Sequence, residues 1–201
     1  MKINRLTIAL LAIIAVLLAA ILGAVLLRDG NSIKETMGHD MGSHMSGSSN
    51  SSDTGFTGAD TMFLQMMIPH HQQAIDISEL ALQKSQNAEL LTLAKVIIKD
   101  QKSEIAQMKV WLDEAGASED MGHSAHGMGG MLDDKDLANL ATATGKNFDV
   151  LWLKGMIGHH DGAIHMSEMI RDASNPEIKA FGEKIVKDQS AQIAQMKKML
   201  A

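Results

Sequence analysis

The chain has 201 residues with 16 methionines, no cysteine, no tyrosine and a formal charge of −6. That length holds one ordinary domain with appendages, and the lack of cysteine excludes disulfides and thiolate metal sites. The acidic balance, with no basic patch interleaved with aromatics, argues against nucleic acid as a partner.

Lys2 and Arg5 precede an uncharged apolar run from Thr7 to Leu27. As a helix this run spans about 31 Å, close to the hydrocarbon thickness of a bilayer. We expect residues 1–28 to be an uncleaved transmembrane anchor, with a cleaved secretory signal as the rival reading. The positive end stays inside, so the rest of the chain is expected outside the cytoplasm, periplasmic or extracellular. Residues 29–59 are rich in Gly, Ser, Asp and Asn and read as a flexible tether. The tether carries Met37, His39, Met41, His44 and Met45.

An internal repeat follows, over 60–115 and 147–201. "FLQMMIPHHQQAIDISE" from Phe63 aligns with "WLKGMIGHHDGAIHMSE" from Trp152, and "IIKDQKSEIAQMKVWL" from Ile97 with "IVKDQSAQIAQMKKML" from Ile185. Each repeat reads as two helices with a short joint. Asn87 caps the second helix of the first repeat, and Asn175, Pro176 and Glu177 open its counterpart. Asp60 and Asp149 are expected to cap the helices that carry the histidines. Gly116 is expected to end the second helix. A short extra helix over Asp134 to Ala143 is expected to end at Gly145. The apolar spacing is helical throughout: Phe63, Met67, His70, Ala74, Ile77 and Ala81 form one stripe, and Leu90, Ala94, Ile97, Ile105, Met108 and Leu112 another. The expected fold is all-α: an antiparallel four-helix bundle of two repeated hairpins.

Polar residues interrupt these stripes at matched places. His70 and His159 stand where core residues belong, with His71 and His160 on the flank of the same face. Met67 and Met156 lie one turn earlier, in reach of either ring. Gln101 and Gln189 interrupt the partner helices. Burying such groups without partners costs roughly 2–7 kcal/mol each on transfer scales, so they are expected to partner each other or an ion. Pro69 and Gly158 precede the two His pairs and are expected to bend the helix and aim the rings.

Thioether and imidazole donors without thiolate suit Cu(I), with Ag(I) as a mimic. The expected ligands are Met67, His70, His71, Met156, His159 and His160, joined by Met108 and Met196, with Gln101 and Gln189 orienting the rings. An auxiliary site is expected in the loop 116–132, from Met121, His123, His126, Met128 and Met131. Two other readings stand beside this one. The histidines can be structural, in an interaction module whose polar core satisfies itself. The chain can also be a metal-dependent oxidase, although matched inward carboxylates and a Glu-x-x-His pair are missing.

The matched residues Asp60, Phe63, Leu64, Met67, Ile68, His70, His71, Ala74, Ile75, Gln101, Ile105, Gln107, Met108, Trp111 and Leu112 resemble the family catalogued as domain of unknown function 305. So do Asp149, Leu153, Met156, Ile157, His159, His160, Ala163, Ile164, Gln189, Ile193, Gln195, Met196 and Leu200. Trp152 and Met199 depart from the usual Phe and Trp. The resemblance implies a ferritin-like four-helix bundle, usually exported or membrane-anchored, with some members binding copper or silver. The combined expectation is a membrane-anchored protein that sequesters Cu(I) or passes it to a copper-transfer partner, a binding protein more readily than an enzyme, with the oxidase and the interaction module as alternatives.

Overall fold

The structure is a computed structural model that describes residues 55–119 and 129–201. The expected anchor, the tether residues Met37, His39, Met41, His44 and Met45, and Met121, His123, His126 and Met128 of the loop lie outside the described residues. The described part is helical, with no strand among the described residues. No helix among them is long and apolar enough to cross a membrane.

The four long helices are α1 (Gly58–Lys84), α2 (Ala88–Glu114), α4 (Gly145–Ser167) and α5 (Pro176–Leu200). A short helix α3 (Asp134–Thr142) precedes α4, and a 3-10 turn (Glu168–Ile170) follows it. Helix α1 pairs with α2, α4 pairs with α5, and the two hairpins meet where α1 packs on α4. Within the first hairpin, Gln65 meets Ser118, His71 meets Glu104 and Glu79 meets Lys102. The partner number falls as the first rises, so α1 and α2 are antiparallel.

Local chemistry explains the helix ends. Thr57, not Asp60, caps α1, and Asp60 completes a reciprocal capping box from the third helical position. Asn87 and Asn175 each accept two backbone N–H bonds at the starts of α2 and α5, as their sequence context predicts. Gly116 turns the chain after α2 at φ +66, where the Ala117 N–H reaches back to the Leu112 carbonyl.

Two expected ends are different. Asp149 lies inside α4, which starts at Gly145, and its carboxylate accepts the Ser85 hydroxyl at 2.6 Å. It ties the first hairpin's joint to the second hairpin instead of capping. Gly145 does not end α3 but opens α4 at φ +55. A glycine cap is unnecessary there because the Lys84 ammonium donates to the carbonyls of Ala141 and Ala143 at the C-terminal end of α3.

Helix α1 runs unbroken as α-helix through Pro69, and α4 through Gly158. A proline removes one N–H, which frees only the Gln65 carbonyl; the helix persists because its faces are held on both sides of that point.

The core is divided. One apolar cluster contains Ala74, Ile77, Ala94, Ile97, Trp152 and Met156, and the other contains Phe63, Met67, Met108, Ala163, Phe181 and Ile185. The Trp152 indole locks the hairpins together by donating to the Ile77 carbonyl at 3.0 Å in the interior. On every long helix the boundary between clusters falls at polar residues: His70 and His71, Gln101 and Glu104, His159 and His160, Gln189 and Gln192. A polar layer therefore crosses the middle of the domain.

Candidate metal centre

All four histidines of this layer are fully buried. His71 and His160, on the flank of the stripe, are enclosed as completely as the central pair. Helix α1 faces both α2 and α4, so its buried sector is wide enough for both members of the pair, and the pseudo-equivalent α4 behaves alike. The rings of His70 and His159 face each other across the hairpin interface with centroids 3.8 Å apart and a tilt of 37°. His71 and His160 stand outside this central pair, at 6.5 and 6.3 Å from their neighbours.

The outer rings are held by their hairpin partners. His71 Nε2 is 2.8 Å from Glu104 Oε2, and His160 Nε2 is 2.5 Å from Gln192 Oε1. Both partners present acceptor oxygens, so each Nε2 carries the proton and donates it. In the neutral ring Nδ1 then keeps a free lone pair. Among the described residues, each of these Nδ1 atoms is buried without a hydrogen-bond partner of good geometry, as are both ring nitrogens of His70 and of His159.

Burial sets the protonation state of this layer. The His70 pKa is lowered to about 3, chiefly because burial disfavours the charged ring, with repulsion from His71 adding and the Gly129 backbone opposing. Burial, opposed by the Gln192 hydrogen bond, brings His160 down to about 4. His159 lies well below the ordinary value for the same first cause, reinforced by its three neighbours. At neutral pH these three rings are neutral bases with available lone pairs.

Gln101 and Gln189 are buried as expected, yet among the described residues their Oε1 atoms have no partner, and they do not hold the rings. The residues that do, Glu104 and Gln192, lie one turn later at equivalent places in the two repeats. The signal was present in the sequence: Ile97, Gln101, Glu104 and Met108 follow one helical stripe, and Ile105 is only half-buried beside it.

The thioethers divide between the flanking clusters. Met67 and Met108 lie in one and Met156 and Met196 in the other, all fully buried. Met131, the described member of the expected loop site, is half-buried against the cluster of Met67. Beside it, Gly129 and Gly130 lie on α4. A Cβ at Gly162 would fall 2.0 Å from the Gly129 oxygen, and one at Gly130, where φ is +85, 2.5 Å from the Gly158 oxygen. Gln73 anchors the same segment through reciprocal bonds with the Leu132 backbone.

Among the described residues, no three His, Asp or Glu side chains converge as placed around a point that would hold an ion. The donor chemistry nevertheless fits a soft cation. The layer offers neutral imidazole nitrogens, flanking thioethers and no thiolate, and its unpaired nitrogens lack the hydrogen bonds that buried polar groups normally have.

The sequence profile of the family described as domain of unknown function (DUF305) matches residues 60–200. The chain belongs to this family. Among solved structures, a DUF305 fragment from Deinococcus radiodurans is 31% identical, with a TM-score of 0.67 over 72% of this chain and 96% of that one. A DUF305 protein from Streptomyces coelicolor is 28% identical, with a TM-score of 0.67 over 71% and 91%. CopM in its Cu(I)-bound form is 37% identical, with a TM-score of 0.59 over 72% and 95%. CopM has also been solved with Cu(II) and with silver. Comparison with curated proteins finds no match.

Proposed function

We propose that this chain is a copper-binding protein of extracytoplasmic metal homeostasis, sequestering Cu(I) or handing it to a protein partner. In this reading the two hairpins form a ferritin-like antiparallel bundle, tethered to a membrane by residues 1–28. His70, His71, His159 and His160 hold the ion from the central layer, and Met67, Met156, Met108 and Met196 supply thioethers from the clusters on either side. The observation that carries the reading is the set of buried imidazole nitrogens without partners. Leaving such a group unsatisfied costs about 1–3 kcal/mol, and a bound cation removes that penalty. The Cu(I)-, Cu(II)- and silver-bound forms of CopM support the choice of metal.

Because His70, His159 and His160 are neutral at physiological pH, the ion need not displace protons from them. The Met/His-rich segments 37–45 and 121–131 are proposed as weaker auxiliary sites, since ordering a glycine-rich sequence around an ion costs conformational entropy.

The test is competition for Cu(I) between the full chain and a chromophoric chelator. The wild type should show one class of tight binding that is missing from a His70/His71/His159/His160→Ala variant. A Met67→Leu/Met156→Leu variant preserves core volume, which costs under about 1.5 kcal/mol, and should bind more weakly while staying folded. Tight binding unchanged in both variants would place the metal outside the central layer.

A further inference from the structure

The two outer histidines make the same hydrogen bond to partners of different charge. His71 meets the carboxylate of Glu104, and His160 meets the amide of Gln192 at the same place in the other repeat. Glu104 is 8% exposed and, among the described residues, is the one carboxylate that bonds a ring of the layer. Its second oxygen accepts from the Lys184 ammonium at 2.7 Å, reaching across from α5 in the other hairpin. Lys184 is half-exposed and also bonds Asp188 one turn along, at 3.0 Å. The position equivalent to Lys184 in the first repeat is Val96, which is exposed. The charge pair therefore exists on one side of the layer only, and a purely structural layer would need only the neutral amide on both sides.

We infer that Glu104 is a positioning residue that fixes the His71 Nδ1 lone pair and supplies the negative charge for a bound cation, while Lys184 is the displaceable counter-ion that balances Glu104 until the cation arrives. This rests on the copper reading and deepens it by assigning the cation's charge partner. Glu104 uses both carboxylate oxygens as acceptors, one for the His71 ring and one for the Lys184 ammonium. An ion on His71 brings its positive charge to the far side of the ring from Glu104. Lys184 then has a rival for the carboxylate and a second partner, Asp188, in reach of solvent. A carboxylate behind a ligating histidine raises its basicity and fixes its tautomer, and Gln192 can do only the second.

Two measurements on the full chain separate these roles. Imidazole ¹⁵N spectra of the metal-free protein should show His71 protonated on Nε2 in the wild type and in Glu104→Gln, whose amide oxygen still accepts, but not in Glu104→Leu. In Cu(I) competition, Glu104→Gln should weaken binding by about 10–100-fold, the range for such partners. Lys184→Met and Gln192→Glu should both strengthen it. Equal affinities for the wild type, Glu104→Gln and Lys184→Met would overturn the charge role, and an unchanged His71 tautomer in Glu104→Leu would overturn the positioning role. A wild type that binds no Cu(I) in the layer would defeat the copper reading itself, with the tautomer result still standing on its own.

Discussion

His70 on α1 and His159 on α4 face each other at 3.8 Å across the junction of the two hairpins, and among the described residues none of their four ring nitrogens has a hydrogen-bond partner of good geometry. Two neutral imidazoles in that position stabilise nothing that leucine could not. Replacing buried polar groups by apolar ones of similar size is often neutral or stabilising. A His70→Leu/His159→Leu variant, free of metal, should therefore unfold in urea at a concentration equal to or above that of the wild type. It should also lose the rise in unfolding temperature that Cu(I) gives the wild type, because a ligand that binds only the folded form must stabilise it. A metal-free variant less stable by several kcal/mol would show that the rings serve the fold.

Acid should unfold the metal-free protein early. The folded pKa values of His70 and His160, about 3 and about 4, lie below the ordinary 6.5, and that of His159 lies well below it. Above 6.5 these rings are neutral in both states, so they impose no penalty. As pH falls below 6.5 the unfolded chain takes up protons that the folded core refuses, and stability drops until the folded values are reached. At pH 5 His70 and His160 each contribute a loss of about 2 kcal/mol at 1.36 kcal/mol per pH unit, and His159 adds to it in the same direction. That loss is a large part of a typical total of about 5–15 kcal/mol. Circular dichroism of the full chain should show substantial loss of stability between pH 7 and pH 5. A constant urea midpoint over that range would contradict the burial of neutral rings.

The two glycines that follow the shared pattern in α4 should respond oppositely to alanine. At Gly158 a Cβ meets nothing within 4 Å, so Gly158→Ala should gain about 0.5–1 kcal/mol from helix preference. At Gly162 the Cβ would lie 2.0 Å from the Gly129 oxygen, and Gly162→Ala should lose about 1–3 kcal/mol by pushing the 129–130 turn away. Urea midpoints of the two single variants check this. A destabilising Gly158→Ala would favour the expectation that this glycine bends the helix to aim the histidines.

Periodicity made the helices and their buried faces legible because each stripe is a property of one helix. Phe63, Met67, Ala74, Ile77 and Ala81 are all in the core, and Asn87, Asn175 and Gly116 act at helix ends through bonds to nearby backbone. What escaped the sequence depends on contact between helices. His71 and His160 are fully buried because a second helix covers their side, which a single stripe cannot report. The ring partners are one turn beyond Gln101 and Gln189 because the antiparallel register of each hairpin, not the stripe alone, decides which residue sits opposite a histidine. Asp149 reads as a helix cap until the Ser85 hydroxyl of the other hairpin is found beside it.

The most direct test of the central claim is anomalous diffraction at the copper edge from crystals of the full chain loaded with Cu(I). A copper site in the polar layer gives a peak there, bonded to nitrogens of the His70, His71, His159 and His160 set, with the central rings moved apart from their 3.8 Å pairing. Peaks confined to the Met/His-rich segments, with His70 and His159 still face to face, would contradict it.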